Sequence, residues 1–205
     1  MTEQLIELAK VIIIHTNNFI HGIDHIVRVS DLTIEIANGI EENLTEVEKE
    51  ALKIASYWHD IGRVDMQSYN NEYDHANNSA ETLMIVAKRF DMQDNLAIKI
   101  AMSAIRNHRR SNGKIDNMAI VDKILWDADK LDIFNTRRIL RIVNDYKELK
   151  NPGDYNLEDS IKFWNSIDEK FSDNFHFKVS KEIFYDEYPK FKELIKNILK
   201  WKEGY

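Results

Sequence analysis

The chain has 205 residues and 43% hydrophobic content, enough to bury a substantial core without disulfides or a structural metal. Cysteine is absent, which excludes thiol catalysis and cysteine-based zinc sites and fits a reducing compartment. With 28 basic against 35 acidic residues the net charge is -7, so general nucleic-acid binding is not expected and only a local basic pocket is allowed.

Only 2 prolines and 6 glycines punctuate the chain, and apolar residues recur at helical spacing almost throughout. Leu5, Leu8, Ile12 and Ile13 open a first helix. Its run "VIII", Val11 to Ile14, stops at His15 and is far too short to span a membrane. No basic segment followed by an apolar core stands at the start, so no secretory signal is expected and the cytoplasm is the expected location. Ile26, Val29, Leu32, Ile36 and Ile40 mark a second helix from Asp24 to about Gly39. Thr45 and Glu48 form a capping box for a third, in which Val47, Leu52 and Ile54 lead to Trp58.

The stretch "DMQSYNNEYDH", Asp65 to His75, reads as a polar loop. Helices are expected next over about Ala76–Phe90, Asp94–Asn107 and Asp116 to about Leu149. "NPGDYN", Asn151 to Asn156, is the clearest break. Beyond it "LEDSIKFWNSIDEKF" and "YPKFKELIKNILKW" are amphipathic, and "NFHFKVS" is the one ambiguous piece. No internal repeat or low-complexity tract is present. The pattern predicts an all-α fold in a single domain over 1–205, with the core at about 20–135 and an appended C-terminal helical layer at about 151–205.

One stretch breaks the apolar pattern. In "ASYWHDIGR", Ala55 to Arg63, a helix face that should be apolar runs into His59 and Asp60. Adjacent side chains on a helix point about 100° apart, so both reach one ion only if it sits beyond the helix end. Gly62 supplies the stop that opens this space. A neutral imidazole beside a carboxylate suits a catalytic divalent cation. Taken singly, each of the 7 histidines has the alternative of an ordinary hydrogen-bonded residue.

Three motifs in order give the chain a family resemblance: "HGIDHIVRV", "WHDIGR" and "LWDADKLD" resemble those of the HD superfamily of metal-dependent phosphohydrolases. The resemblance covers about residues 20 to 135 and implies a compact helical HD-domain bundle. It implies that His25, His59, Asp60 and Asp129 are metal ligands, with Asp127 and Asp132 as supporting or helix-terminal acids. "DHANNSAETL" and "SAIRNH" resemble further motifs of a subset of the family that binds a second metal. In that subset His75 and His108 would join the ligands, and the Asp60 carboxylate would bridge two ions. His75 also fits a helix cap or loop, and His108 a solvated helix end. His21 fits either substrate contact or the anchoring of a loop.

The resemblance thus implies one or two divalent ions, with Mn, Fe, Mg, Ni and Zn not distinguished, acting on water and on a small phosphorylated substrate, foremost a nucleotide. Arg28, one turn after His25, together with Arg63, Arg109, Arg110 and Lys130, offers donors for phosphate. The alternative for each is a surface ion pair. Asp60, Arg28 and Lys130 are the candidate catalytic residues. Some family members carry an acid three residues after the His-Asp pair. Arg63 stands there instead, which leaves Asp65 or Asp74 as substitutes for a general base.

The aromatic tail of Trp164, Phe171, Phe175, Phe177, Phe184, Tyr185 and Tyr188 fits a packed terminal layer better than a base-binding pocket. Two rival functions share the resemblance: an HD-type di-iron oxygenase with the same six ligands, and a regulatory metal-binding protein without chemistry. An intact ligand set argues against the second. Oligomeric state is not legible in the sequence.

Overall fold

The computed structural model describes residues 2–15, 20–63, 75–109, 118–148 and 156–203. They form nine α-helices, with no strand among the described residues: α1 (Thr2–Ile14), α2 (Ile23–Gly39), α3 (Glu46–Trp58), α4 (His75–Arg89), α5 (Leu96–Asn107), α6 (Ile120–Leu131), α7 (Thr136–Glu148), α8 (Leu157–Ser166) and α9 (Lys178–Glu203). Three short 3₁₀ turns join them, at Ile61–Arg63, Asp132–Phe134 and Glu169–Asn174. The all-α expectation is met. Asp65, Asp74, Arg110 and the segments "DMQSYNNEYD" and "NPGDY" lie outside the described residues.

Local chemistry accounts for three of the helix starts. Thr45 and Glu48 close the reciprocal capping box at the start of α3, with Thr45 N–H donating to Glu48 Oε2 at 2.8 Å. Asn95 caps α5, its Oδ1 accepting from Ala97 N at 2.7 Å, and Asn156 does the same for α8. Helix α2 buries Ile26, Val29, Thr33 and Ile36, an i, i+3, i+4 stripe that faces α3 and α6.

Helix α3 is central, packing on α1, α2, α5 and α6, while α4 lies on α5 and on the 3₁₀ turn 61–63. The Trp58 indole N–H donates to Leu5 O at 3.1 Å and fastens α1 to α3. Gly62 is a place where any side chain would collide. A Cβ there would lie 2.3 Å from His75 O and 2.6 Å from Ser79 N, so the His-Asp turn can seat directly on the first turn of α4.

One expectation needs correction. The helix expected over Asp116–Leu149 is two helices, because the chain turns at Asp132–Phe134. That stretch contains no proline or glycine to mark the turn. The reason is tertiary: Asp132 is drawn inward to His25 and Phe134 to the tail aromatics. The ambiguous piece "NFHFKVS" resolves as the approach to α9, whose first residues it supplies, and that helix runs on through Pro189. Phe184, Tyr188, Phe191, Ile195 and Ile198 bury one continuous face across Pro189.

The tail aromatics pack as core. Phe134 meets Phe184 at 4.8 Å between ring centroids, Phe191 at 5.1 Å and Phe171 at 5.2 Å, mostly edge to face. Tyr185 is the exposed member of the set. One apolar cluster extends from α1 through α6 to α9. No helix among the described residues is long and apolar enough to cross a membrane.

Candidate metal centre

The sequence motifs, scattered over more than 100 positions, meet at one buried point. His25 comes from the first turn of α2, His59 and Asp60 from the end of α3, His75 from the first turn of α4, His108 from the end of α5 and Asp129 from the last turn of α6. Helix ends supply them because only there can side chains from five helices converge without each other's backbone in the way.

The donor atoms form two clusters around one carboxylate. His25 Nε2 and His59 Nε2 lie 3.2 Å apart, and Asp129 Oδ1 is 3.5 Å from the first and 3.9 Å from the second. Asp60 Oδ2 approaches the same pair at 3.5 and 3.8 Å. On the other side His75 Nε2 and His108 Nε2 are also 3.2 Å apart, with Asp60 Oδ1 at 3.3 and 3.7 Å. Ligands held about 2.1 Å from one ion are separated by about 3.0–3.4 Å, so these spacings suit coordination. His21 Nδ1 reaches Asp60 Oδ2 at 2.7 Å, which makes a further donor group with His25 and Asp60.

The proton inventory tests whether a cation fits. His59 Nδ1 faces Ser56 O at 2.8 Å and His108 Nδ1 faces Ile105 O at 2.5 Å. A carbonyl can only accept, so both rings carry their proton on Nδ1 and turn a bare Nε2 lone pair inward. His25 Nδ1 is likewise engaged by Asp132 Oδ2 at 2.7 Å. Facing nitrogens at 3.2 Å repel unless positive charge, a proton or a metal ion, lies between them. The residues present fit divalent ions.

Electrostatics point the same way. Burial pushes His59 down to about 4 and His75 to about 3, and burial with the Arg63 charge pushes His21 to about 3. Burial also opposes ionisation of Asp60 and Asp129, yet Arg63 and His21 for the one, Lys130 and His59 for the other, hold both well below the usual carboxylate range. His25 differs: burial would lower it, but hydrogen bonds to Asp132 and Asp60 together raise it.

These shifts make chelator-treated protein sensitive to acid. Folded His21, His59 and His75 refuse protons that the unfolded chain accepts below about pH 6.5. Stability should therefore fall as pH drops from about 6.5 toward 4, with His25 offsetting part of it. Urea titrations at about pH 7.5 and pH 5 check this, and unchanged or greater stability at the lower pH would contradict it.

Around the clusters, cations hold the carboxylates. Lys130 Nζ donates to Asp129 Oδ2 at 2.8 Å, leaving Oδ1 to face the histidines, and lies 5.8 Å over the Trp126 ring. Arg63 Nε donates to Asp60 Oδ1 at 2.9 Å and its Nη2 to His75 Nε2 at 3.1 Å. Arg28, expected to offer its fork to phosphate, grips Asp132 with Nε at 2.5 Å and Nη2 at 3.1 Å. Arg109, part-buried, is close enough to help depress His75.

Two acids expected in supporting roles, Asp132 and Asp127, and one residue without a sequence signal, Arg138, surround the clusters. Asp132, fully buried and held at about 2 by Arg138, His25 and Arg28 against the cost of burial, orients the His25 ring. Its spacing of three from Asp129 on the same helical face was an available signal. Arg138, whose Nη1 lies 3.1 Å from Asp132 Oδ2, had none. Asp127, expected only as a flanking acid, accepts from the backbone N–H groups of His176 and Phe177 and from His176 Nδ1 at 2.7 Å, tying the approach to α9 onto α6.

Comparison with known proteins places this arrangement. A family model described as the HD domain matches residues 22–133. A structure titled "predicted HD superfamily hydrolase" from an uncultured Thermotogales bacterium shares 21% identity with a TM-score of 0.66, over 97% of this chain and 92% of that one. The Lin1889 protein from Listeria innocua shares 20% identity with a TM-score of 0.63, over 99% of this chain and 98% of its own. At these identities the likeness is one of fold. No curated protein matches the sequence.

Proposed function

We propose that this chain, which belongs to the HD domain family, is a metal-dependent phosphohydrolase cleaving a phosphate ester or anhydride of a small molecule, a nucleotide in the first instance. Family membership supports divalent-metal phosphohydrolase chemistry in general; the six ligands, the two-ion count and the substrate class are our reading. One observation carries it: Asp60 turns one oxygen to each of two pairs of facing imidazole nitrogens.

In this reading His25, His59 and Asp129 would hold one divalent ion and His75 and His108 a second, with Asp60 contributing to both. Imidazole-rich sites of this kind suit Mn, Fe, Ni or Zn. Such ions supply Lewis acidity, which acidifies water and polarises a phosphoryl oxygen. The chain's own residues do the rest. Asp132 fixes the His25 ring through Nδ1, and Arg28 and Arg138 keep that carboxylate charged. Lys130 and Arg63, which keep part of their side chains at the surface while holding ligand carboxylates, give a phosphate group positive charge at the rim of the site. His21 steadies Asp60 from the loop before α2.

Hydrolysis by Lewis-acid chemistry needs no change of oxidation state. Phosphate release from a panel of nucleotides and dinucleotides is therefore expected with Mn²⁺ under anaerobic conditions, without oxygen uptake in air. Oxygen consumption that tracks product formation, with no phosphate ester or anhydride cleaved, would replace the hydrolase reading with an oxygenase one.

A further inference from the structure

The two clusters differ in what already sits on their donor atoms. In the first, the cations nearby are hydrogen-bonded to other atoms. Lys130 is on the outer oxygen of Asp129, and Arg28 and Arg138 are on Asp132. In the second, Arg63 Nε donates to Asp60 Oδ1 at 2.9 Å and Arg63 Nη2 to His75 Nε2 at 3.1 Å. These are two of the three atoms, with His108 Nε2, that form that cluster. A guanidinium has only donors, so His75 Nε2 accepts with its lone pair, the same lone pair a metal ion would need.

We propose that Arg63 is a built-in occupant of the second cluster, so that a second divalent ion competes with its guanidinium for Asp60 Oδ1 and His75 Nε2, and that a phosphate anion relieves the competition by taking the guanidinium onto itself. The inference rests on the reading of both clusters as ion sites. Its physical basis is exclusion of like charge: a guanidinium and a divalent ion do not share the same lone pairs at hydrogen-bonding distance. Release is open to a phosphate because guanidinium pairs with its oxygens in a two-pronged fashion. The Arg63 side chain is 16% exposed, so it lies at the edge of the cluster and has a direction in which to turn. The second ion and the phosphate group then bind with positive coupling, each raising the other's affinity by the same factor. The full two-ion site then assembles more readily when there is phosphate to act on.

Isothermal titration of the metal-free protein with Mn²⁺, with and without inorganic phosphate, tests this, alongside electron paramagnetic resonance for a coupled Mn–Mn signal. The wild type is expected to take one ion tightly and a second at least about tenfold more weakly. Phosphate should tighten the second by about five- to a hundredfold, the usual span of such couplings, and bring up the coupled signal. Arg63→Ala should bind two ions with similar affinities and lose the phosphate effect, whereas His75→Ala should lose the second ion only. Because the phosphate effect is read in the wild-type chain, poor folding of Arg63→Ala would not remove the test. Two ions bound equally well without phosphate, and unmoved by it, overturn the role of Arg63 and leave the two-ion site standing. No Mn²⁺ bound by the wild type overturns the site and this proposal together.

Discussion

Asp60→Asn is expected to empty the site of metal and to lower phosphate release by about a thousandfold or more, the scale set by removal of a preorganised charge at a reacting centre. The substitution keeps the shape of the side chain. What it removes is the charge that faces both histidine pairs, His25 with His59 on one side and His75 with His108 on the other. It also deprives Arg63 and His21 of their carboxylate partner. The helical far-ultraviolet signal should survive, since Asp60 lies after the end of α3 and caps no helix. Metal content by elemental analysis and turnover in a metal-replete assay measure the two effects. Near-wild-type turnover would show that the carboxylate is not the centre of the site.

Asp132→Ala is expected to cost about 3–5 kcal/mol of stability, the usual penalty for stripping one partner from a buried ionic group. It would leave Arg28, Arg138 and His25 facing an apolar gap where a fully buried carboxylate stood. In a chain of this length that corresponds to a fall in melting temperature of about 10 °C or more. Metal affinity should drop about 10- to 100-fold as well, because the His25 ring loses the group that fixes its orientation. Calorimetric melting and Mn²⁺ titration of the same preparation check both. An unchanged melting point with full metal affinity would reduce Asp132 to a bystander.

The six proposed ligands were legible because each lies in a short motif whose neighbours share its task. His59 and Asp60 stand together, and "LWDADKLD" gathers Asp127, Asp129, Lys130 and Asp132 within one short stretch. Helix content was legible for a similar reason, since apolar spacing reports a buried face directly. What could not be read depends on residues far apart in the chain. Arg138 is tied to the site only through Asp132, and Asp127 meets His176 across 49 positions. The break between α6 and α7 carries no proline or glycine, and α9 runs through Pro189 because burial on both sides of it overrides the missing N–H. Arg28 and Arg63 were found as residues but not as partners: sequence shows that a cation is near, and only the fold shows which carboxylate claims it.

The 3₁₀ turn at Asp132–Phe134 has a thermodynamic consequence. Its first residue grips His25, and its last sits among Phe171, Phe184 and Phe191. Two steps along the chain therefore separate the metal cradle from the centre of the aromatic layer. An opening that frees α9 pulls on the same turn that holds the His25 ring, so the C-terminal helices and the surroundings of His25 are expected to open together. Any ion that prefers the folded cradle lends part of its binding free energy to aromatic side chains that never touch it. Exchanging the tail for another helical segment is therefore expected to shift the affinity of the proposed site for ions even with every proposed ligand kept.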